Sequence, residues 1–159
     1  MSGAFDRAFA RTIGHEGGYV DNPADPGGRT KYGISQRAYP HENIAAMTLE
    51  RAKLLYLRDY WQACRCHEMP EPVALEVFDA AVNCGVGQAV RFAQRAAGVA
   101  DDGIVGPITL AALRNDRSPA ACAARILGER LAFHAALSTW PNFGRGWARR
   151  IADNLKGLA

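Results

Sequence analysis

The sequence predicts an all-α (mainly α) domain, and three observations carry that expectation. Apolar residues recur every three or four positions through most of the chain, as Phe5, Phe9 and Ile13 do near its start. That period marks helices that bury one face. Gly, Pro, Asp and Ser punctuate the stretches between these runs, as residues that cap helices and make turns do. A single short extended run, Thr30 to Ile34, interrupts the pattern, so at most a small β-hairpin is expected there.

At 159 residues the chain is long enough for one domain with a sizeable core, or a domain with a small annex. Its 48% hydrophobic and 22% charged content is ordinary for a globular protein. The net charge of +3 is unevenly spread: residues 117–159 carry seven Arg/Lys against two acids, and 64–116 carry four against seven. The basic end reads first as an arginine-dotted helix face in solvent. No basic run with interleaved aromatics points to nucleic acid, so none is expected as a partner. There is no positively charged start leading into an apolar stretch, and nothing approaches the ~20 apolar residues of a membrane span. Synthesis in the cytoplasm without stable membrane insertion is therefore expected. Cys64, Cys66, Cys84 and Cys122 read as free thiols of a reducing compartment. Cys64-Arg-Cys66-His67 is too tightly spaced for a zinc site and lacks a matching second pair, so no metal is expected.

The first helix is expected over Gly3–Glu16, stopped by Gly17 and Gly18. Ser35 can cap a short helical turn ending at Pro40. Thr48 then caps a long helix running to Trp61, with Glu50 favourably placed in its first turn and Leu49, Ala52, Leu55, Tyr56 and Tyr60 forming its stripe. Tyr56, Tyr60 and Trp61 are core residues or else reach a ligand cleft. Residues 68–71 read as a linker. Pro72 opens a helix running to Gly85, with Val73, Val77, Phe78 and Ala81 inward. Asp79 and Asn83, four apart on one face, are either a surface pair or part of a site. A helix from Gly87 to Gly98 precedes Asp102-Gly103 and Gly106-Pro107, which frame a turn into the next helix. Ser118-Pro119 caps the longest helix, to about Leu137. The stretch TWPNFGRGWARR is expected as a loop that closes a cleft or pins the last helix.

One stretch remains outside this helical scheme: His15 to Ser35, HEGGYVDNPADPGGRTKYGIS, too polar and too rich in Gly and Pro to be core. Rigid scaffolds place chemistry on such loops. Glu16 falls ~20° from Phe5 on the helical wheel, inside the apolar stripe and at the negative end of the helix. Desolvation and the dipole both disfavour its anion, which suits a general acid. The plain alternative is a helix-terminal Glu turned into solvent. Asp25 is either the first residue of a β-turn with Pro26 next, or a carboxylate that shares a water with the Thr30 hydroxyl. An acid facing a carboxylate and a hydroxyl matches the needs of glycoside hydrolysis, with one group protonating the leaving oxygen and the others orienting water.

The string EGGYVDNPADPGGRTKYGIS resembles the signature of glycoside hydrolase family 108, bacterial and phage N-acetylmuramidases. More distantly, Glu16, Asp25 and Thr30 resemble the Glu–Asp–Thr triad of phage-type lysozymes, with one residue fewer between Asp and Thr. The resemblance implies a lysozyme-like helical fold with Glu16 as catalytic acid and Asp25 and Thr30 as its partners. Tyr19, Tyr32, Tyr60 and Asn83 are its implied substrate-binding residues. The Tyr56-x-x-x-Tyr60-Trp61 pattern and the Phe78-Asp79-x-Ala-Val-Asn83 string belong to the same likeness, so Asn83, and with it Asp79, are expected opposite Glu16. Residues 102–109 resemble the D-G-x-x-G-P-x-T element of small peptidoglycan-binding modules.

The resemblance thus implies a catalytic lobe over 1–85 and a helical, peptidoglycan-binding-like part over 86–159. It implies hydrolysis of the β-1,4 bond between N-acetylmuramic acid and N-acetylglucosamine, without cofactor or metal. Bacterial peptidoglycan is the expected partner, and a monomer the expected state. The wall in the periplasm is the expected place of action, reached with a separate holin or secretion component. Two alternatives stand beside a phage-type endolysin: a lytic transglycosylase using Glu16 alone, and a non-catalytic wall-binding or secretion-helper protein.

Overall fold

The computed structural model describes residues 3–15, 18–24 and 27–159, with the backbone alone at His15. Among the described residues it contains seven α-helices and one two-stranded antiparallel sheet, the mainly-α, lysozyme-like architecture expected from the sequence. The chain divides into two compact units, 1–59 and 60–159.

In the first unit, α1 spans Ala4–His15. The Asp6 carboxylate accepts from the Gly3 N–H at 3.1 Å, satisfying an N-terminal donor that the helix itself leaves open. Ala8, Phe9 and Thr12 are its buried residues, whereas Phe5 and Ile13 are half-buried, so the inner stripe lies one position round from the predicted one. Strands β1 (Thr30–Lys31) and β2 (Ile34–Ser35) form the expected hairpin, with Lys31 opposite Ile34. Ser35 caps the following turn as predicted, its Oγ accepting from the Ala38 N–H at 3.2 Å.

Helix α2 (Leu49–Tyr56) begins at the predicted cap: the Thr48 hydroxyl accepts from the Arg51 N–H at 3.1 Å. It does not run to Trp61 as an α-helix. From Leu57 to Gln62 the chain widens into a π-helical segment. Within the first unit Asp59 is tied by Arg58 and by the Tyr39 hydroxyl at 2.8 Å. A π turn rotates every later side chain relative to an α register, which periodicity alone does not reveal.

The second unit holds the larger helical assembly. A 3₁₀ turn (Cys66–Glu68) runs into the predicted linker, which is reduced to Met69 and Pro70 because the next helix already begins at Glu71. Glu68 is fixed by Arg65 at 2.6 Å and Arg114 at 3.0 Å. Helix α3 (Glu71–Cys84) packs on α4 (Val86–Ala97) and α6 (Pro119–Ala135). Val73, Val77, Phe78 and Ala81 are fully buried, as expected. Burial also extends to Ala74, Glu76, Asp79 and Ala80, so α3 is enclosed on most sides. Helix α5 (Pro107–Arg114) follows the predicted turn, and Ser118 caps α6 by accepting from the Ala121 N–H.

The predicted loop at Trp140 is instead the start of α7 (Trp140–Lys156). Pro141 stands in the first turn, where proline costs nothing. Gly144 is required by packing, since a Cβ there would lie 2.3 Å from the Trp140 ring. Gly144, one of the residues that suggested a loop, is what leaves room for the Trp140 indole against the helix.

Candidate functional site

Glu16 and Asp25 lie outside the described residues, so the structural account of the signature begins with its neighbours. Val20 and Thr30 exchange backbone hydrogen bonds, Val20 N–H to Thr30 O at 2.7 Å and Thr30 N–H to Val20 O at 2.8 Å. The segment after the Glu-Gly-Gly motif is thereby stitched to β1 as a third extended line. The Thr30 hydroxyl is half-buried and donates to the Gly28 carbonyl at 3.3 Å. A hydroxyl donating there keeps its lone pairs for a water or a sugar hydroxyl.

The turn from β1 to β2 is made by Tyr32 and Gly33, with φ of 52° and 74°. Positive φ at both central residues is the tight hairpin geometry whose twist matches its strands. Glycine adopts it freely, but tyrosine does so at a cost. The Tyr56 hydroxyl donates to the Tyr32 carbonyl at 2.8 Å and the Lys31 ammonium sits 5.6 Å from the Tyr32 ring centre, so both hold this residue. Tyr19 is exposed and donates weakly to Asp21 at 3.4 Å. Tyr32 and Tyr60 are half-buried.

Two residues of the Tyr-x-x-x-Tyr-Trp pattern serve the core. Tyr56 is 1% exposed, its ring edge-on to Phe9 at 5.5 Å. Trp61 is 4% exposed and edge-on to Phe78 at 5.8 Å. Neither presents a ring face to a ligand.

Asp79 is neither a surface residue nor a cleft residue. It is fully buried in the second unit, where Arg130 donates to it at 2.7 Å, Arg150 at 2.9 Å and Asn154 at 3.0 Å. Burial alone would raise the carboxyl pKa, but the two guanidinium groups outweigh that and hold it well below the ordinary range. The Asn154 amide also donates to Glu76 at 3.0 Å. Asn83 is half-buried at the edge of this cluster. Its Oδ1 accepts from Arg130 at 2.9 Å and faces His134 Nε2 at 3.2 Å, so only its NH₂ remains for a sugar.

His134 completes the cluster. It is 2% exposed and stacked on Trp147, ring centres 4.3 Å apart and planes 17° from parallel. Burial, then the charges of Arg130 and Arg150, push its pKa down to about 4. Among the described residues its Nδ1 has no hydrogen-bond partner. Cys84 lies 3.6 Å from Nε2, and burial raises its pKa, so it is a protonated thiol rather than a nucleophile. All four cysteines are free. Sequence reading missed Arg130, His134, Arg150 and Asn154. The available signal was their spacing: each pair sits four apart on one helix, so each pair shares a face.

The Asp102–Thr109 element is organised by Gln94, which is 1% exposed. Its amide donates to Asp102 Oδ1 at 2.7 Å, the Ile104 carbonyl at 3.1 Å and the Thr109 hydroxyl at 3.1 Å, and accepts from the Gly103 N–H at 2.9 Å. A cavity of about 180 Å³ opens beside it, with Val99, Ile104 and Ile108 on its walls.

Residues 9–85 match the family model described as Glycosyl hydrolase 108, and residues 88–152 match that described as Predicted Peptidoglycan domain. The solved structure of SagA from Brucella abortus is similar to the whole chain. Identity is 31% and the TM-score 0.86, over 97% of this chain and 92% of SagA. Among curated proteins none matches. With the helical architecture, the hairpin behind the Glu-Gly-Gly-Tyr signature and a full-length relative in agreement, the chain belongs to the glycosyl hydrolase 108 family.

Proposed function

We propose that this chain is an N-acetylmuramidase that hydrolyses the β-1,4 bond between N-acetylmuramic acid and N-acetylglucosamine in bacterial peptidoglycan. Residues 1–85 would form the catalytic lobe and 86–159 a wall-binding part. Glu16 protonates the leaving oxygen, while Asp25 and the Thr30 hydroxyl orient the attacking water. Tyr19, Tyr32, Tyr60 and the free amide of Asn83 contact the sugars. The observation that carries this reading is the reciprocal pairing of Val20 with Thr30, which ties the segment following Glu16 to the strand bearing the threonine.

The chain would act as a monomeric endolysin on the wall in the periplasm. Synthesis would be cytoplasmic, with a separate holin or secretion component providing passage. Mass spectrometry of sugars released from purified wall tests the chemistry. Muropeptides ending in a reducing N-acetylmuramic acid are expected. An anhydro sugar would identify a lytic transglycosylase, and no release at all would identify a binding protein that has lost catalysis.

A further inference from the structure

The inner stripe of α7 outruns the helix it packs on. Arg150, Ile151 and Asn154 are buried in the C-terminal half, but Phe143, in the same ~100° arc, is 56% exposed. Trp140 and Trp147, its neighbours on that arc, are half-buried. Phe143 and Trp140 stand 5.7 and 6.3 Å from Trp147, tilted by 37° and 44°, so the three rings form a shallow curved shelf.

The shelf is anchored from below. Trp147 stacks on His134, His134 lies 5.7 Å from Phe133, and Phe133 meets the fully buried Phe92 edge-on at 5.4 Å. A ladder of rings therefore runs from the core to the surface, and Gly144 lets Trp140 lie against the helix. The rings are packed against one another without a ligand, and such pre-organisation lowers the ordering cost of binding.

We propose that this shelf binds an uncharged N-acetylhexosamine ring of the wall glycan. The inference rests on the peptidoglycan reading above. The shelf lies inside the region matching the peptidoglycan domain, residues 88–152. Arg150 is the charged residue on the arc, and it is turned inward onto Asp79. An aromatic arc whose one charged residue is turned inward suits the C–H face of a neutral pyranose, whose hydroxyls stay in water. It does not suit a stem peptide, which brings charges that would be desolvated without partners.

The full chain carrying Glu16→Gln, to prevent turnover, should be titrated with tetra-N-acetylchitotetraose while tryptophan fluorescence is read. Two of the three tryptophans are on the shelf and Trp61 is in the core, so the signal reports the shelf. A saturable change is expected, weakened about ten-fold by Phe143→Ala and restored by Phe143→Tyr; tenfold corresponds to ~1.4 kcal/mol. Identical titrations with and without Phe143→Ala, or displacement by free stem peptide, would overturn the inference. If purified wall still retains the protein in that case, the peptidoglycan reading survives its loss. If wall fails to retain the protein as well, both fall.

Discussion

Arg130 bridges two residues of α3, giving one guanidinium nitrogen to Asp79 at 2.7 Å and the other to Asn83 at 2.9 Å. Asn83, one of the two expected substrate-binding residues in the second unit, is thus held by the same cation that neutralises the buried carboxylate. Asn83 is positioned by the core, so changes to the Asp79 cluster are expected to reach it.

Asp79→Asn removes the negative charge and leaves two guanidinium groups buried without it. Breaking a buried pair this way costs about 3–5 kcal/mol. Denaturant titration of the variant should show that loss, and a change below 1 kcal/mol would mean water reaches the cluster.

Acid should destabilise the protein in two stages. His134 is a base with its folded pKa depressed from 6.5 to about 4, so below 6.5 the unfolded chain takes up a proton that the folded one refuses. Its contribution is fully present above pH 6.5 and is lost as pH falls towards 4. Asp79, with its folded pKa depressed, contributes stability above the ordinary carboxylate range and loses it as pH falls further. Stability measured against pH should decline in both windows. His134→Gln should flatten the upper window and leave the lower one.

Tyr56→Phe deletes the hydroxyl that donates to the Tyr32 carbonyl and should cost about 1 kcal/mol. Because that bond restrains the positive-φ turn beside Thr30, wall lysis should fall by more than the unfolded fraction explains. Lysis proportional to folded protein would show that the restraint has no part in activity.

Glu16→Gln preserves size but cannot donate the proton, so lysis should fall at least about 100-fold with folding intact. Retention of more than a tenth of the activity would remove Glu16 from its role.

If Asp25 and Thr30 orient a water, displacement is a single step and the first-formed product is the α-anomer, visible by NMR. Asp25→Asn should then cost most of the activity and Thr30→Ala less. A β-anomer would make Asp25 a nucleophile.

Much of this was legible in the sequence, for identifiable reasons. Thr48 and Ser118 declare helix starts through local hydrogen bonds that need no tertiary context. The Thr30–Ile34 hairpin is legible because its short extended run interrupts the helical period on either side. The π segment at Leu57 was not, since it changes register without changing composition. Nor was α7, where Pro141 and Gly144 speak locally for a loop, but Pro141 sits in a first helical turn and Gly144 makes room for Trp140. Asp79 was misread because a carboxylate looks solvated until its partners are known, and those partners lie 51 and 71 residues away. The seven basic residues of 117–159 suggested one solvated face, yet Arg130 and Arg150 are interior.

The buried cluster also limits how such chains can be recombined. The two family matches meet between residues 85 and 88, which invites exchanging the part that matches the peptidoglycan domain at that joint. A cut there would keep α3 with the signature while discarding α6 and α7, which supply Arg130 and Arg150 to Asp79. Each half would inherit an orphaned buried charge. A chimera joined near Tyr60, where the compact units divide, carries the cluster whole.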